Sequence, residues 1–229
     1  ASHAERRAQD VGGIGGAVTA AVARALGAGR GDEAGRLAQQ SLFIAGVLAA
    51  AFTLVLLGFG RGVYAAMGGR GAALDAALAY SNVLFGGAIV IWATNVLGAV
   101  VRGEGNMLLP ALLLVLTALI HLVLCPTLVF GWGPIPGLGV PGAAISLLIA
   151  NGAAALLLAA HLLRRDAAAA LNRSPWRLHA PLVRDILRVG VPASMSPIVS
   201  NASIAVATAF VGSFGTAALA GYGVAARLE

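Results

Sequence analysis

Residues 121–146 read HLVLCPTLVFGWGPIPGLGVPGAAIS, and this stretch decides how the chain folds. An apolar run that begins near Met107 passes Pro126 and stops at a turn crowded with Gly131, Gly133, Pro134, Pro136, Gly137 and Gly139; a second apolar run then sets off. Each arm holds about 23 to 26 residues, and at ~1.5 Å rise per residue either one crosses the roughly 30 Å hydrocarbon core of a bilayer. The pattern predicts a transmembrane helical hairpin with an uncharged tip.

The rest of the chain has the same character. Of its 229 residues 59% are hydrophobic and only 10% charged, whereas a soluble domain carries about 25% charged residues. With a mean hydropathy of +0.89 it reads as an all-α, polytopic membrane protein. Its net charge of +6 comes entirely from arginine, because the sequence holds no lysine. Aromatic residues make up 6%, too few for the stacking, solvated basic face of a nucleic-acid binder, so no nucleic acid is expected as a partner. The single cysteine, Cys125, lies inside an apolar run, so no intrachain disulfide forms. The polar first ten residues, ASHAERRAQD, do not resemble a signal peptide and suggest a chain that starts partway into something.

Taken in order, the predicted spans are residues 11–28, 37–60, 78–101, the two hairpin arms, and 189–212, with an unfinished segment from 216. That makes six full crossings and part of a seventh. The first is lined by Gly12, Gly13, Gly15 and Gly16, small residues that let another helix approach closely. Gly27 and Gly29 are expected to form the tight turn that ends it, with Asp32 and Glu33 favouring the start of the next helix. Residues 62–77 read as a loop or short surface helix, and 166–188 as a polar linker with an amphipathic helix from about Pro181. Pro192 and Pro197 are expected to break or bend the helix after it.

Arginines fix the orientation. Arg24, Arg30, Arg36, Arg102, Arg164, Arg165, Arg173, Arg177, Arg184 and Arg188 fall on one side, and Arg6, Arg7, Arg61 and Arg70 on the other. The richer side is cytoplasmic, which puts residues 131–139 outside and 166–188 inside.

Several strings carry no chemistry. Gly137 to Gly142 spells GxGxxG, but Pro141 sits inside it and no strand precedes it, so a tight turn explains Gly139 and Gly142 better than a dinucleotide site. The glycosylation strings at Asn172 and Asn201 fall on the cytoplasmic side and within a span. No HExxH, paired carboxylates or Ser/His/Asp set lies in the spans, so the chain is not expected to be an enzyme or to hold a metal. The polar residues inside the spans are the informative ones, since in lipid they must face a protein interior or a cavity. They include Asn82, Asn95, His121, Asn151, Ser194, Ser196, Ser200 and Asn201. The asparagines either bond between helices or line a substrate cavity. His121, the one ionisable side chain well inside a span, either bonds a neighbour or exchanges a proton. It stands four residues before Cys125, on the same helix face, and Pro126 leaves the carbonyl of Leu122 without its usual partner.

Four phrases in order then carry a resemblance: ARALGAGRGDEA at 23–34, AVVRGEGNMLLP at 99–110, the tip from Gly131 to Gly142, and VGVP at 189–192. Together they resemble the multidrug and toxic compound extrusion (MATE) family of efflux antiporters. The resemblance implies two six-helix lobes related by a pseudo-twofold axis. Residues 1–165 would hold helices two to six of the first lobe, 166–188 the cytoplasmic linker and 189–229 the start of the second lobe, the first helix lying outside the chain. One branch of the family has Asn and Asp four apart in the fifth helix and a threonine early in the sixth, where this sequence has His121, Cys125 and Leu147. Another has a glutamate in the seventh helix, where Ser200 and Asn201 stand here. Imidazole, thiol and leucine are poor replacements for the hard oxygen ligands of sodium.

What the resemblance implies is a bacterial inner-membrane antiporter, monomeric when full length, that exports small organic, cationic compounds against protons or sodium, with no cofactor. His121, Cys125, Asn95, Asn151, Ser200 and Asn201 would line its pathway. Two other readings stay open: a flippase of lipid-linked precursors from the same superfamily, and a non-transporting membrane scaffold.

Overall fold

The computed structural model describes residues 13–132, 136–164 and 180–225. Residues 133–135 of the expected hairpin tip and 166–179 of the expected linker lie outside them. Among the described residues the chain forms α1 (Gly13–Gly27), α2 (Gly31–Ala66), α3 (Gly71–Gly86), α4 (Ala88–Gly103), α5 (Leu108–Phe130), α6 (Val140–Arg164), α7 (Ala180–Gly212) and α8 (Thr216–Ala225).

Three turns share one chemistry. After α1, Gly29 adopts φ 71°; its N–H bonds the carbonyl of Leu26 at 2.9 Å and the N–H of Arg30 bonds that of Ala25 at 2.9 Å. This paired closure requires a left-handed residue just past the helix, where a Cβ is penalised. Gly68 (φ 92°) and Gly105 (φ 87°) repeat it after α2 and α4. Gly27, by contrast, is the last residue of α1, and a Cβ there meets nothing within 4 Å. The turn rests on Gly29 alone, because only one position takes the left-handed conformation.

The helices run longer than the sequence suggested. α2 takes in the charged loop: Asp32 and Glu33 occupy its first turn, where the helix dipole favours acids, and Arg30 pairs with Glu33 at 2.7 Å. Only residues 67–70 separate it from α3, so most of 62–77, expected as a loop or short surface helix, belongs to the ends of these two helices. The span expected at 78–101 is instead broken, its halves α3 and α4 meeting at 51°. The Gly86-Gly87 pair breaks it: Gly87 lies against Leu148 of α6, where a Cβ would overlap the leucine's Cδ1. A break at membrane depth needs its backbone groups satisfied. The Thr53 hydroxyl of α2 does this for one of them, donating to the carbonyl of Phe85 at 2.6 Å.

α7 is not broken at its prolines. It runs unbroken from Ala180 to Gly212, past Pro192 and Pro197, because a proline removes one backbone bond whereas leaving the helix in hydrocarbon exposes several. Pro192 is an exposed residue within this helix and forms no turn. The amphipathic segment from Pro181 is the same helix, and its Ile186 is buried in the hydrophobic core cluster.

Four helices, α2, α5, α6 and residues 182–212 of α7, are each long and apolar enough to cross a membrane, and the bent α3–α4 pair supplies a fifth crossing if it is one span. The 15 described residues of α1 span about 22 Å, short of a bilayer core. That accounts for the difference from six. α1 is the centre of the packing nonetheless. Its Val18, Ala21, Val22 and Ala25 meet Val100 and Val101 of α4, Leu37 of α2 and Ile186 of α7 in one buried cluster. Small residues make that approach feasible: a Cβ on Gly103 would come within 2.7 Å of the Val22 Cβ, and the Thr19 hydroxyl bonds the carbonyl of Ala99 at 3.0 Å.

Candidate functional site

The hairpin closes on its own backbone. The N–H groups of Leu138 and Gly139 bond the carbonyls of Leu128 and Val129 at 2.8 and 3.1 Å, with Gly139 at φ 64°. The N–H of Gly142 bonds the carbonyl of Gly139 at 3.0 Å, closing the turn that leads into α6. Gly142 is buried in the first turn of α6, so close to α5 that a Cβ would stand 2.5 Å from the Leu128 carbonyl oxygen. This clasp sets the register of the two arms. His121 lies twelve residues before Gly133, and Ser146 twelve after Pro134; the two face each other, with 2.9 Å between His121 Nδ1 and Ser146 Oγ.

Ser146 Oγ also donates to the carbonyl of Ala143 at 2.8 Å. One hydroxyl proton serves either neighbour, not both. With a neutral ring whose Nδ1 carries no hydrogen, Ser146 can donate to the ring and release Ala143. A protonated ring must donate to Ser146, whose own proton then goes to Ala143. The pair therefore has two hydrogen-bond arrangements, set by whether Nδ1 of His121 carries a hydrogen.

This pair sits at one end of a groove of about 400 Å³ between α4, α5 and α6, lined by Thr94, Asn95, Gly98, Arg102, Pro110, Leu113, Leu114, Thr117, Ala118, His121, Leu147, Asn151, Ala154 and Leu158. α5 and α6 are antiparallel, so Pro110, Leu158 and Arg102 mark one end and His121 and Leu147 the other, about 16 Å away by helix rise. Asn95, His121 and Asn151 of the sequence-predicted pathway thus share one groove. Their amide groups hold local carbonyls: Asn95 Nδ2 bonds Ile91 at 3.0 Å and Asn151 Nδ2 bonds Leu147 at 2.9 Å. The Thr94 hydroxyl lies 2.8 Å from the carbonyl of Val90 and 3.0 Å from that of Asn151, tying α4 to α6.

The other predicted pathway residues lie elsewhere. Cys125 is half-buried one turn beyond His121 and does not line the groove; Ser200 and Asn201 are exposed on α7, and Asn82 is exposed on α3. Leu147 lines the groove, but it is the preceding residue, Ser146, that meets the histidine. Sequence reasoning missed Thr94, Arg102, Thr117 and Ser146. Ser146 was legible by folding the hairpin about Gly133 and Pro134. Among the described residues no group of three or more His, Cys, Asp or Glu side chains converges on one point, and none of the groove-lining side chains is acidic.

A bundle of apolar helices, with a largely apolar groove that carries a few polar side chains, is the architecture of a membrane transporter. The MatE family model matches residues 11–127, and the chain belongs to that family. It is similar to the multidrug export protein MepA of Staphylococcus aureus (strain bovine RF122 / ET3-1), 26% identical over 207 residues that make up 90% of this chain and 45% of MepA. It is also similar to a FAD transporter of Shewanella oneidensis, 25% identical over 95% of this chain and 48% of that protein. Among solved structures, the inward-facing conformation of a multidrug resistance MATE family transporter of the MOP superfamily superposes with a TM-score of 0.73 at 28% identity, over 89% of this chain and 44% of that one. The chain spans just under half the length of these relatives.

Proposed function

We propose that this chain forms the first lobe and the beginning of the second lobe of a proton-coupled antiporter that exports small organic compounds by alternating access. It lies in the bacterial plasma membrane with its arginine-rich ends in the cytoplasm. The observation that carries this reading is the 2.9 Å contact between His121, at one end of the groove, and the buried Ser146. It supports a coupling role for His121, because a proton gained or lost on the ring would rearrange a bond between the two arms of the hairpin. Protonation from outside would favour one packing of α5 on α6, and proton release inside the other. The similarity to MepA supports drug efflux over scaffolding. The cationic class of substrate draws no support from a groove lining that holds no carboxylate.

The test is efflux by the full-length protein in proteoliposomes under an imposed pH gradient. His121→Gln keeps hydrogen bonding without titration, and its efflux is expected to drop about tenfold or more and lose its pH dependence. Ser146→Ala is expected to fall between the two. A His121→Gln variant with wild-type rate and pH profile would overturn the reading.

A further inference from the structure

Arg102 is the only charged side chain in the groove lining. It sits in the last turn of α4, four residues after Gly98, and therefore on the same helix face. That spacing matters, because a Cβ built on Gly98 would lie 3.3 Å from Arg102 Nη1. The arginine has folded back along its own helix over the glycine, toward Asn95 and the groove, rather than pointing off the helix end. Among the described residues no salt bridge to Arg102 is seen. A half-buried guanidinium held inward, with no described carboxylate paired to it, is a position that an anion would stabilise, since a charge partly removed from water gains from a counter-charge. Beside it the wall is apolar, formed by Pro110, Leu113 and Leu158. The volume suits a drug-sized molecule.

We propose that the groove receives an amphipathic organic anion, its carboxylate or phosphate on Arg102 and its apolar body along Leu113 and Leu158 toward His121. This rests on the transport reading above and gives its substrate class. Two sources share the chemistry: a soluble organic anion from the cytoplasm, and the headgroup of an anionic phospholipid.

The full-length protein, purified into proteoliposomes of phosphatidylcholine alone, is assayed under a pH gradient with carboxyfluorescein as the anion and ethidium as the cation. Transport of carboxyfluorescein is expected, reduced about tenfold or more in Arg102→Gln, the loss expected for one charge-assisted contact, and largely retained in Arg102→Lys. Ethidium transport is expected to be equal or higher in Arg102→Gln. Folded yield and detergent-solubilised Tm accompany both variants. A parallel series adds phosphatidylglycerol. Competition of this lipid with carboxyfluorescein, abolished in Arg102→Gln, identifies the lipid headgroup as the occupant; absence of competition identifies the soluble anion. Ethidium transport without carboxyfluorescein transport, or equal loss of both in a folded Arg102→Gln protein, would overturn the anion assignment while leaving the antiporter reading intact. No pH-driven transport of either probe would overturn the antiporter reading itself.

Discussion

α4 and α5 follow one another along the chain, both apolar, and they end up in opposite surroundings. Val96 to Val101 of α4 are all buried, as is Gly103, whereas Leu113 is the one buried residue of α5. Leu114 of α5 is 75% exposed and Leu122 69%. The leucine-rich helix is on the outside and the helix with glycine, alanine and valine is inside. In water the order would be the reverse. In a bilayer the surrounding chains are as apolar as leucine, so apolarity does not decide burial; the capacity of small residues for close backbone approach does.

The sharpest way to break that comparison is to spoil the close approaches. Gly142→Val and Gly103→Val each drive a side chain into a neighbour, the first into the backbone of α5. Overpacking of this kind costs about 1–3 kcal/mol and more where backbone must move. Both variants are expected to lose most of their folded, monodisperse protein in size-exclusion chromatography, Gly142→Val the more completely. A normal Tm in either would show that α5 and α6, or α1 and α4, pack more loosely than described.

A middle-sized effect is expected at Thr53. Thr53→Val keeps the shape and removes the hydroxyl that bonds Phe85, and hydrogen bonds between membrane helices are worth about 0.6–1.7 kcal/mol. Its Tm is expected to fall by a few degrees, with Thr53→Ser restoring it. Equal Tm for the valine and serine variants would mean the carbonyl is satisfied another way.

The smallest effect belongs to the lipid-facing side of α5. Leu122→Ala and Val123→Ala, both exposed and outside the groove lining, are expected to change stability by less than about 0.5 kcal/mol. A larger loss in the full-length protein would reveal that another helix covers this face.

The hairpin, the helical class and the family were legible in the sequence, because hydropathy over 20 residues and four spaced phrases report them directly. The family phrases include two of the three glycine turns, at Gly29 and Gly105. The break at Gly87 was not legible, because two glycines inside an apolar span read as ordinary small residues until Leu148 is seen against them. Helix ends shifted for a related reason: charges at 32 and 33 mark a boundary with water, yet they sit comfortably in a first helical turn. Of the candidate site, Asn95, His121 and Asn151 followed from the rule that polar residues in spans face something polar. Arg102 escaped because an arginine at a helix end counts toward orientation, and only the bare Gly98 beneath it shows that it points inward.

The hydroxyl of Thr53 also bears on the order in which the chain enters the membrane. A ribosome delivers α2 before α3, so a carbonyl left open by the bend at Gly87 finds its donor already in place on the preceding helix. Were the two segments exchanged in the gene, the bent pair would be inserted with that carbonyl facing lipid until its partner was made. Gene order and helix geometry are linked here by a single side chain, and a circularly permuted version that starts at Gly71 would expose the link as slow or incomplete insertion.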